Sequence, residues 1–288
     1  MDGFSIALSE ITLVLFTTLA PAGAVGYALM SLPVVLGRAT EGEHRRLDQF
    51  SCLPLGIAMV GLIASATHLG NPSNALYVFT GVGRSPLSTE VFCAVIFLAL
   101  AGVYWLYSFA ETPRRRLQRV LAVAIDLSVA AFLVSMALAY QVDTILTWNL
   151  PLVPVALVLN ALMGGPVIAL LGFAAAGYRE KRLAGSRALQ VLSVVAFAAN
   201  VVVYVVMGLQ LGALENQLVT AMQLVPPYWL CVAAFTMLAA AGLVLAWRNV
   251  RHGLAVKPAA VASALVLAGI FVMRFTFYMS HLTVGLGV

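Results

Sequence analysis

Of 288 residues, 62% are hydrophobic and only 9% charged, where a soluble domain carries roughly 45–50% apolar and about 25% charged residues. So little polar surface excludes a water-soluble fold and points to a polytopic membrane protein. The formal net charge of +5 matters through its placement along the sequence, and no nucleic-acid partner is expected.

A spanning helix takes about 20 apolar residues. Eight are predicted, at roughly 10–36, 49–70, 88–110, 117–141, 150–178, 187–212, 227–248 and 257–282. They use most of the chain and leave no room for a soluble domain. The expected fold is all-α, one eight-helix integral membrane domain over residues 1–288. Barrel strands are short and alternate in polarity, and these runs are neither. The N-terminal Met1-Asp2-Gly3-Phe4 lacks the basic region of a secretory signal, and the run after it is too long for one. It is read as the first span.

The first connection carries Arg38, Arg45 and Arg46. Helix two begins near Gln49 and brings His68 about 29 Å further on, to the far boundary. A His there is either a partly hydrated interfacial side chain or a proton acceptor and hydrogen-bond partner for a lipid-soluble ligand. Histidine, which titrates near neutral pH, suits the second task. Residues 71–87 hold a candidate surface helix, with Asn71 as N-cap and Pro72 at its first position. Glu90 then opens helix three beside the capping candidates Ser85 and Ser88. An acid in a first turn meets the positive end of the helix dipole, and beside a His and an Arg it can also accept a proton. His68 and Glu90 thus stand at opposite ends of one connection, in a protein with almost no ionisable groups at membrane depth. Such a pair can exchange protons, as a membrane-soluble redox carrier requires when it gains or loses two electrons and two protons.

The third connection holds Arg114, Arg115, Arg116 and Arg119. Asp126, two to three turns into helix four, is expected to pair with a nearby Ser, Asn or Arg; an inner-side proton path is the alternative. Met163-Gly164-Gly165-Pro166 in helix five reads as a kink or tight helix contact, or as backbone lining a cavity. The fifth connection holds Arg179, Lys181, Arg182 and Arg187. Residues 213–226 look like an amphipathic interfacial segment ended by Pro226-Pro227. Asp143 and Glu215 are expected to be solvated. The seventh connection holds Arg248, Arg251 and Lys257. In the last helix Arg274 lies about eight residues before the chain leaves the membrane, where a charge needs a partner. Glu90 or a carbonyl oxygen of a bound ligand is expected, with snorkelling as the alternative. His281 follows at i+7, on roughly the same face.

Fourteen of the sixteen basic residues fall in the odd-numbered connections. By the positive-inside rule those face the cytoplasm, and both termini face the outer, periplasmic side. His68, Glu90 and His281 then lie at the outer interface with Trp148, Tyr228 and Trp229, while Tyr104, Trp105, Tyr107 and Trp247 mark the inner belt. The three cysteines, Cys52, Cys93 and Cys231, are far apart and form no Cys-x-x-Cys. They read as small apolar fillers, and no iron–sulphur cluster is expected in this protein's own sequence. No metal ligand set is recognised. No two helical histidines face one pocket, so no haem is expected either.

The run Ser65-x-x-His68-Leu69-Gly70-x-Pro72, the following Gly83-x-Ser85-x-Leu87-Ser88-x-Glu90, and the tail Arg274-x-x-Phe277-Tyr278-x-x-His281-Leu282-Thr283-Val284-Gly285 resemble the membrane-anchor subunit of bacterial dimethyl sulfoxide reductases, the DmsC type. Thr147-Trp148 and Met163-Gly164-Gly165-Pro166 fit it less specifically. The likeness spans the whole sequence in length and helix count. It implies a multi-pass anchor in the bacterial cytoplasmic membrane, working in anaerobic respiration. Such an anchor oxidises menaquinol to menaquinone and passes electrons to a four-cluster iron–sulphur subunit, which sits with a molybdopterin catalytic subunit at the outer face. The protein would then be non-catalytic for the terminal reaction, yet the quinol-oxidising part of an oxidoreductase complex. The family's quinol-linked His and Glu carry over to His68 and Glu90; Arg274 and His281 join the expected quinol site by depth and position. A small-solute transporter or channel is the rival reading, weakened because the polar residues gather at one interface. A purely structural anchor is the third.

Overall fold

The computed structural model describes residues 2–68, 72–178 and 184–285. Among these, eight helical segments are long and apolar enough to cross a membrane. A short helix, α1 (Gly3–Ser9), comes first, capped by Asp2, which accepts from the Ser5 N–H at 2.9 Å. Glu10 separates it from the first crossing, α2 (Ile11–Val35). The second crossing is α3 (Glu41–Phe50) and α4 (Cys52–Thr67), joined at Ser51. It starts at Glu41 rather than near Gln49 because Glu43 accepts from both the Thr40 N–H (2.8 Å) and the Thr40 hydroxyl (2.6 Å), tying off the helix start. The polar first turns stay helical, and His44 lies inside this helix.

A 3₁₀ helix (Pro72–Gly81) occupies the next connection, as the expected surface helix; Asn71, its supposed cap, lies outside the described residues. Then come α5 (Pro86–Tyr107), α6 (Arg115–Ala139), α7 (Leu152–Ala176) and α8 (Ala184–Leu211). The segment 213–226 is not one amphipathic helix. Glu215 pairs with Thr220 in an antiparallel bridge, and one helical turn follows, α9 (Ala221–Leu224), before α10 (Tyr228–Arg251) and α11 (Val256–Met279). Asp143 and Glu215 are exposed, as expected.

Two helices make the centre. α2 and α7 are each 72% buried, the other crossings 28–50%. Both are apolar all round, which is the pattern of a buried helix. Small residues let them approach. A Cβ on Gly165 of α7 would lie 2.3 Å from a Val25 methyl of α2, and one on Gly23 of α2 would lie 2.5 Å from the Ala58 nitrogen of α4. The helix runs unbroken through Pro166, so the Gly-Gly-Pro run serves a tight helix contact. Gly165→Val is expected to overpack that seam at a cost of about 1–3 kcal/mol. A thermal melt of the detergent-solubilised protein checks it; an unchanged melting point would mean that the seam has slack.

An even number of crossings returns the end of α11 to the end where α2 begins. Packing agrees, because a Cβ on Gly3 would lie 2.6 Å from the Met279 carbonyl oxygen. By the same parity Arg38, Arg115 and Arg251, at the ends of α2, α6 and α10, mark the opposite, basic end.

Candidate functional site

The site lies at the end away from the basic connections. Ser85 caps α5, and Pro86 takes its first position, where a missing N–H costs nothing. Thr89 donates to the Ser85 carbonyl (2.9 Å) and accepts from the Gly83 N–H (3.1 Å), binding the preceding loop to the helix. With this turn pinned, the next residue, Glu90, points into the bundle and is 1% exposed. It stands five positions past its N-cap, beyond the first turn, so a dipole-capping role does not account for it. Neither carboxylate oxygen has a hydrogen-bond partner.

Arg274 comes to a similar depth from the other side. It lies five residues before the end of α11, about 7.5 Å in, and Glu90 four residues after the start of α5, about 6 Å in. Arg274 is 2% exposed, which excludes snorkelling. Its Nε donates to the Thr17 hydroxyl of α2 at 2.9 Å. Its guanidinium carbon lies 4.2 Å from the Phe277 ring centre, 5.3 Å from Tyr140 and 5.6 Å from Tyr278, a cation held on aromatic faces. The Tyr278 hydroxyl donates to that of Tyr140 at 3.1 Å. Among the described residues no ion pair joins Arg274 to Glu90, and the Arg274 Nη2 is also without a partner. The expected pairing is therefore not a direct contact.

The aromatic box is held by a clasp. Residues 144–148 zip onto 280–284. Leu146 N–H donates to the Leu282 carbonyl (2.8 Å) and Val284 N–H to that of Thr144 (3.1 Å). The Thr147 hydroxyl donates to the Ser280 carbonyl. Trp148 donates to the Phe277 carbonyl (3.2 Å) and stacks on the Phe277 ring at 4.6 Å. Thr147-Trp148 and the C-terminal tail, read separately in the sequence, are two halves of one device. His281 belongs to it. Because α11 ends at Met279, His281 does not share a helical face with Arg274; it meets Trp148 edge-on at 5.1 Å. This corrects its expected place beside Arg274.

His68 caps the end of α4. Its Nε2 lies 3.4 Å from a Glu10 carboxylate oxygen, with the two side chains 42% and 30% exposed. No hydrogen bond or ion pair links it to Glu90. The expected His68–Glu90 face-to-face pair is replaced by His68–Glu10 at the rim and Glu90 in the interior. The cause is depth: His68 ends a helix that is mostly lipid-facing, whereas Glu90 sits more than a turn inside its own helix.

At the basic end a second polar knot forms. Asp48, 3% exposed, accepts from the Tyr104 hydroxyl (2.6 Å) and Gln118 (2.9 Å), and His44 lies 3.6 Å away. Arg115 bonds Gln118 (2.9 Å) and Glu41 (3.1 Å), joining α3 to α6. Asp126 accepts from Ser31 at 3.0 Å, the serine pairing expected of it. Sequence reading missed this knot, and also Thr17, Tyr140 and Glu10. Spacing carries no signal for them, because each gains its role from a helix distant in the sequence.

A buried carboxyl and a buried guanidinium, both incompletely bonded, lie at similar depth at one end of a bundle whose eight long apolar helices mark a membrane protein. The model of the family described as DMSO reductase anchor subunit (DmsC) matches residues 4–279. The C subunit of the anaerobic dimethyl sulfoxide reductase of Escherichia coli strain K12 is 30% identical over 284 residues, with 97% of each protein covered. The anaerobic dimethyl sulfoxide reductase subunit YnfH of the same strain is 30% identical over 289 residues, also at 97% of each. The C subunit from Haemophilus influenzae is 28% identical over 281 residues, at 98% of each. The chain belongs to the DMSO reductase anchor subunit family and is a multi-pass membrane protein. That membership removes the transporter reading.

Proposed function

We propose that this protein anchors a molybdopterin reductase in the bacterial cytoplasmic membrane and oxidises menaquinol for it. The observation that carries this reading is Glu90, a buried carboxylate with both oxygens free, at the depth of a buried arginine. A quinol losing electrons must also lose two hydroxyl protons, and a carboxylate with no other bond is positioned to take one. A positive Arg274 at a similar depth favours a carboxyl that has given up its proton. His68 and Glu10, half in water, pass protons outward at the rim. The Trp148 clasp, with His281 in it, fixes the wall that carries Arg274. The electrons leave to an iron–sulphur subunit, since this protein is read as holding neither cluster nor haem.

The positive-inside rule supports a cytoplasmic basic end and a site at the outer face, with protons released outside. The connection after α4 supports docking there: Leu76 and Tyr77 are 77% and 70% exposed, a large apolar surface for a loop tip. Photocrosslinkers at Thr80 and Gln217 are expected to capture an iron–sulphur subunit in membranes, and one at Thr112 is not. Capture from Thr112 alone would put the partner at the basic end and defeat the proposed electron path.

A further inference from the structure

Asp48 and Asp126 are acids within the crossings that the Glu90 site does not use. On α6, Asp126 lies eight residues beyond Gln118, about 12 Å deeper than the Asp48 knot. It is half-buried, and its neighbours Val123 and Leu127 are exposed and apolar, as positions facing lipid are. A charge at that depth is costly and marks a functional group by default. α6 packs on α5, α2 and α7. From α2 comes Ser31, whose hydroxyl has one proton and two acceptors, the Asp126 carboxylate at 3.0 Å and the Ala28 carbonyl at 2.8 Å. When Asp126 is ionised, Ser31 donates to it. When Asp126 holds a proton, it donates to Ser31, and Ser31 turns to Ala28. Both forms are bonded, so the pair can take up and release a proton without breaking the α2–α6 seam.

A small cavity joins the two acids. Its polar lining is Tyr27 and Ser31 of α2, Ser51 between α3 and α4, and Tyr104 of α5, and apolar residues such as Leu47 and Ile125 close it. It has room for about one water, and a buried water needs two to four polar partners. Ser31 leads to Asp126, and Tyr104 leads to Asp48, to which it donates at 2.6 Å. The Tyr27 hydroxyl, on a residue 2% exposed, has no partner, and a buried donor left unbonded is costly. A water that accepts from Tyr27 and donates to the Ser31 and Tyr104 oxygens completes a series from Asp126 to Asp48. His44, 3.6 Å from Asp48 and with its Nε2 unbonded, extends the series toward the basic end. The cations of α6, Arg115, Arg116 and Arg119, lie two to three turns nearer that end, and α7 brings no titratable residue.

We propose that Asp126 is a proton-binding site, loaded from the basic end through one water held by Tyr27, Ser31 and Tyr104. The ligand is a proton from bulk water. It enters by His44 and Asp48, crosses the bound water and ends on Asp126 Oδ1, the oxygen that faces Ser31; the carboxylate becomes a neutral acid and nothing is oxidised or reduced. The path stops there. On α5, Phe97 stands midway between Glu90 and Tyr104. It stacks on Phe132 of α6 at 6.5 Å and meets Tyr27 edge-on at 6.1 Å, and both phenylalanines are 0% exposed. Asp126 and Glu90 are thus separate proton sites on opposite sides of an aromatic layer, and the first does not rest on the quinol reading.

The test uses the full-length protein in its native membrane and needs no quinol turnover. Dicyclohexylcarbodiimide attacks protonated carboxyls in apolar surroundings. Glu90 and Asp48 are buried out of its reach at 1% and 3% exposed, whereas Asp126 borders the lipid. Mass spectrometry should find the adduct on the peptide that holds Asp126, falling by about tenfold for each pH unit above its titration point. Infrared spectra should show a carboxylic-acid carbonyl band that grows as the pH falls, is lost in Asp126→Asn and is kept in Glu90→Gln. Exchange of that proton for deuterium reads the path. Tyr27→Phe, which keeps the ring, should slow it by about fivefold, the equilibrium worth of the one hydrogen bond that the water loses. An unlabelled Asp126 with a band indifferent to Asp126→Asn means a permanent carboxylate and overturns the proposal. So does labelling that ignores pH, which means a fixed proton, and so does exchange unchanged in Tyr27→Phe, which means that the proton arrives by another route.

Discussion

Glu90→Gln is expected to lower quinol-dependent turnover by about 10²–10⁴-fold, the usual range for loss of a general base. Subunit levels and the partner's activity with an artificial donor should be unchanged. Glutamine has the shape of glutamate and cannot take a proton. The alternative account of an acid near a helix start is stabilisation by the dipole, about 0.3–1 kcal/mol, too small for such a loss and falling off beyond the first turn. Glu90 lies past that turn, and Ser85 already caps the helix. Stability gives a second sign. A carboxylate with no hydrogen bond at 1% exposure is expensive to bury, and a neutral amide is less so. Arg274 keeps Thr17 and its aromatic faces when Glu90 is neutralised, so the variant should melt no lower than the parent while turnover collapses. Turnover is to be measured in membranes with matched subunit levels, alongside His68→Ala. Near-normal rates in both would sink the site.

The crossings were legible in the sequence because a bilayer demands long apolar runs, and all eight appear within a few residues of the expected bounds, apart from the helical extension back to Glu41. There a capping interaction between Thr40 and Glu43 outweighed low hydropathy. The depth of Arg274 was legible too, since rise per residue converts position to depth. What lay beyond reach was facing. Whether Glu90 points at His68 or into the bundle depends on a loop tied down through Thr89 and on the rotation of α5 against its neighbours. His281 was misplaced for a simpler reason: counting i+7 assumes a helix, and the helix ends at Met279. The bonds from Asn200 to Asn160 and from Asn160 to Tyr204 show a limit of another kind. Three polar residues in apolar runs look like isolated blemishes until two helices bring them into line.

Arg274→Leu is expected to act on assembly before chemistry. The guanidinium is held by Thr17 and by aromatic faces, and it lies at a depth similar to that of the Glu90 carboxyl. A buried charge left with no opposite charge near it costs up to about 3–5 kcal/mol, a large part of the ~5–15 kcal/mol that separates folded from unfolded protein. The single variant should therefore accumulate poorly and melt early. Arg274→Lys keeps the charge but loses the planar stacking, and should fall between. The decisive arm is the double variant Arg274→Leu with Glu90→Gln. With no carboxylate left to strand, it should recover much of the lost accumulation and melting temperature, while turnover stays as low as in Glu90→Gln. Coupling of this kind is what a double-mutant cycle measures. If the double variant is as unstable as Arg274→Leu alone, Arg274 serves the aromatic box and not the carboxylate, and the electrostatic half of the proposed site is wrong.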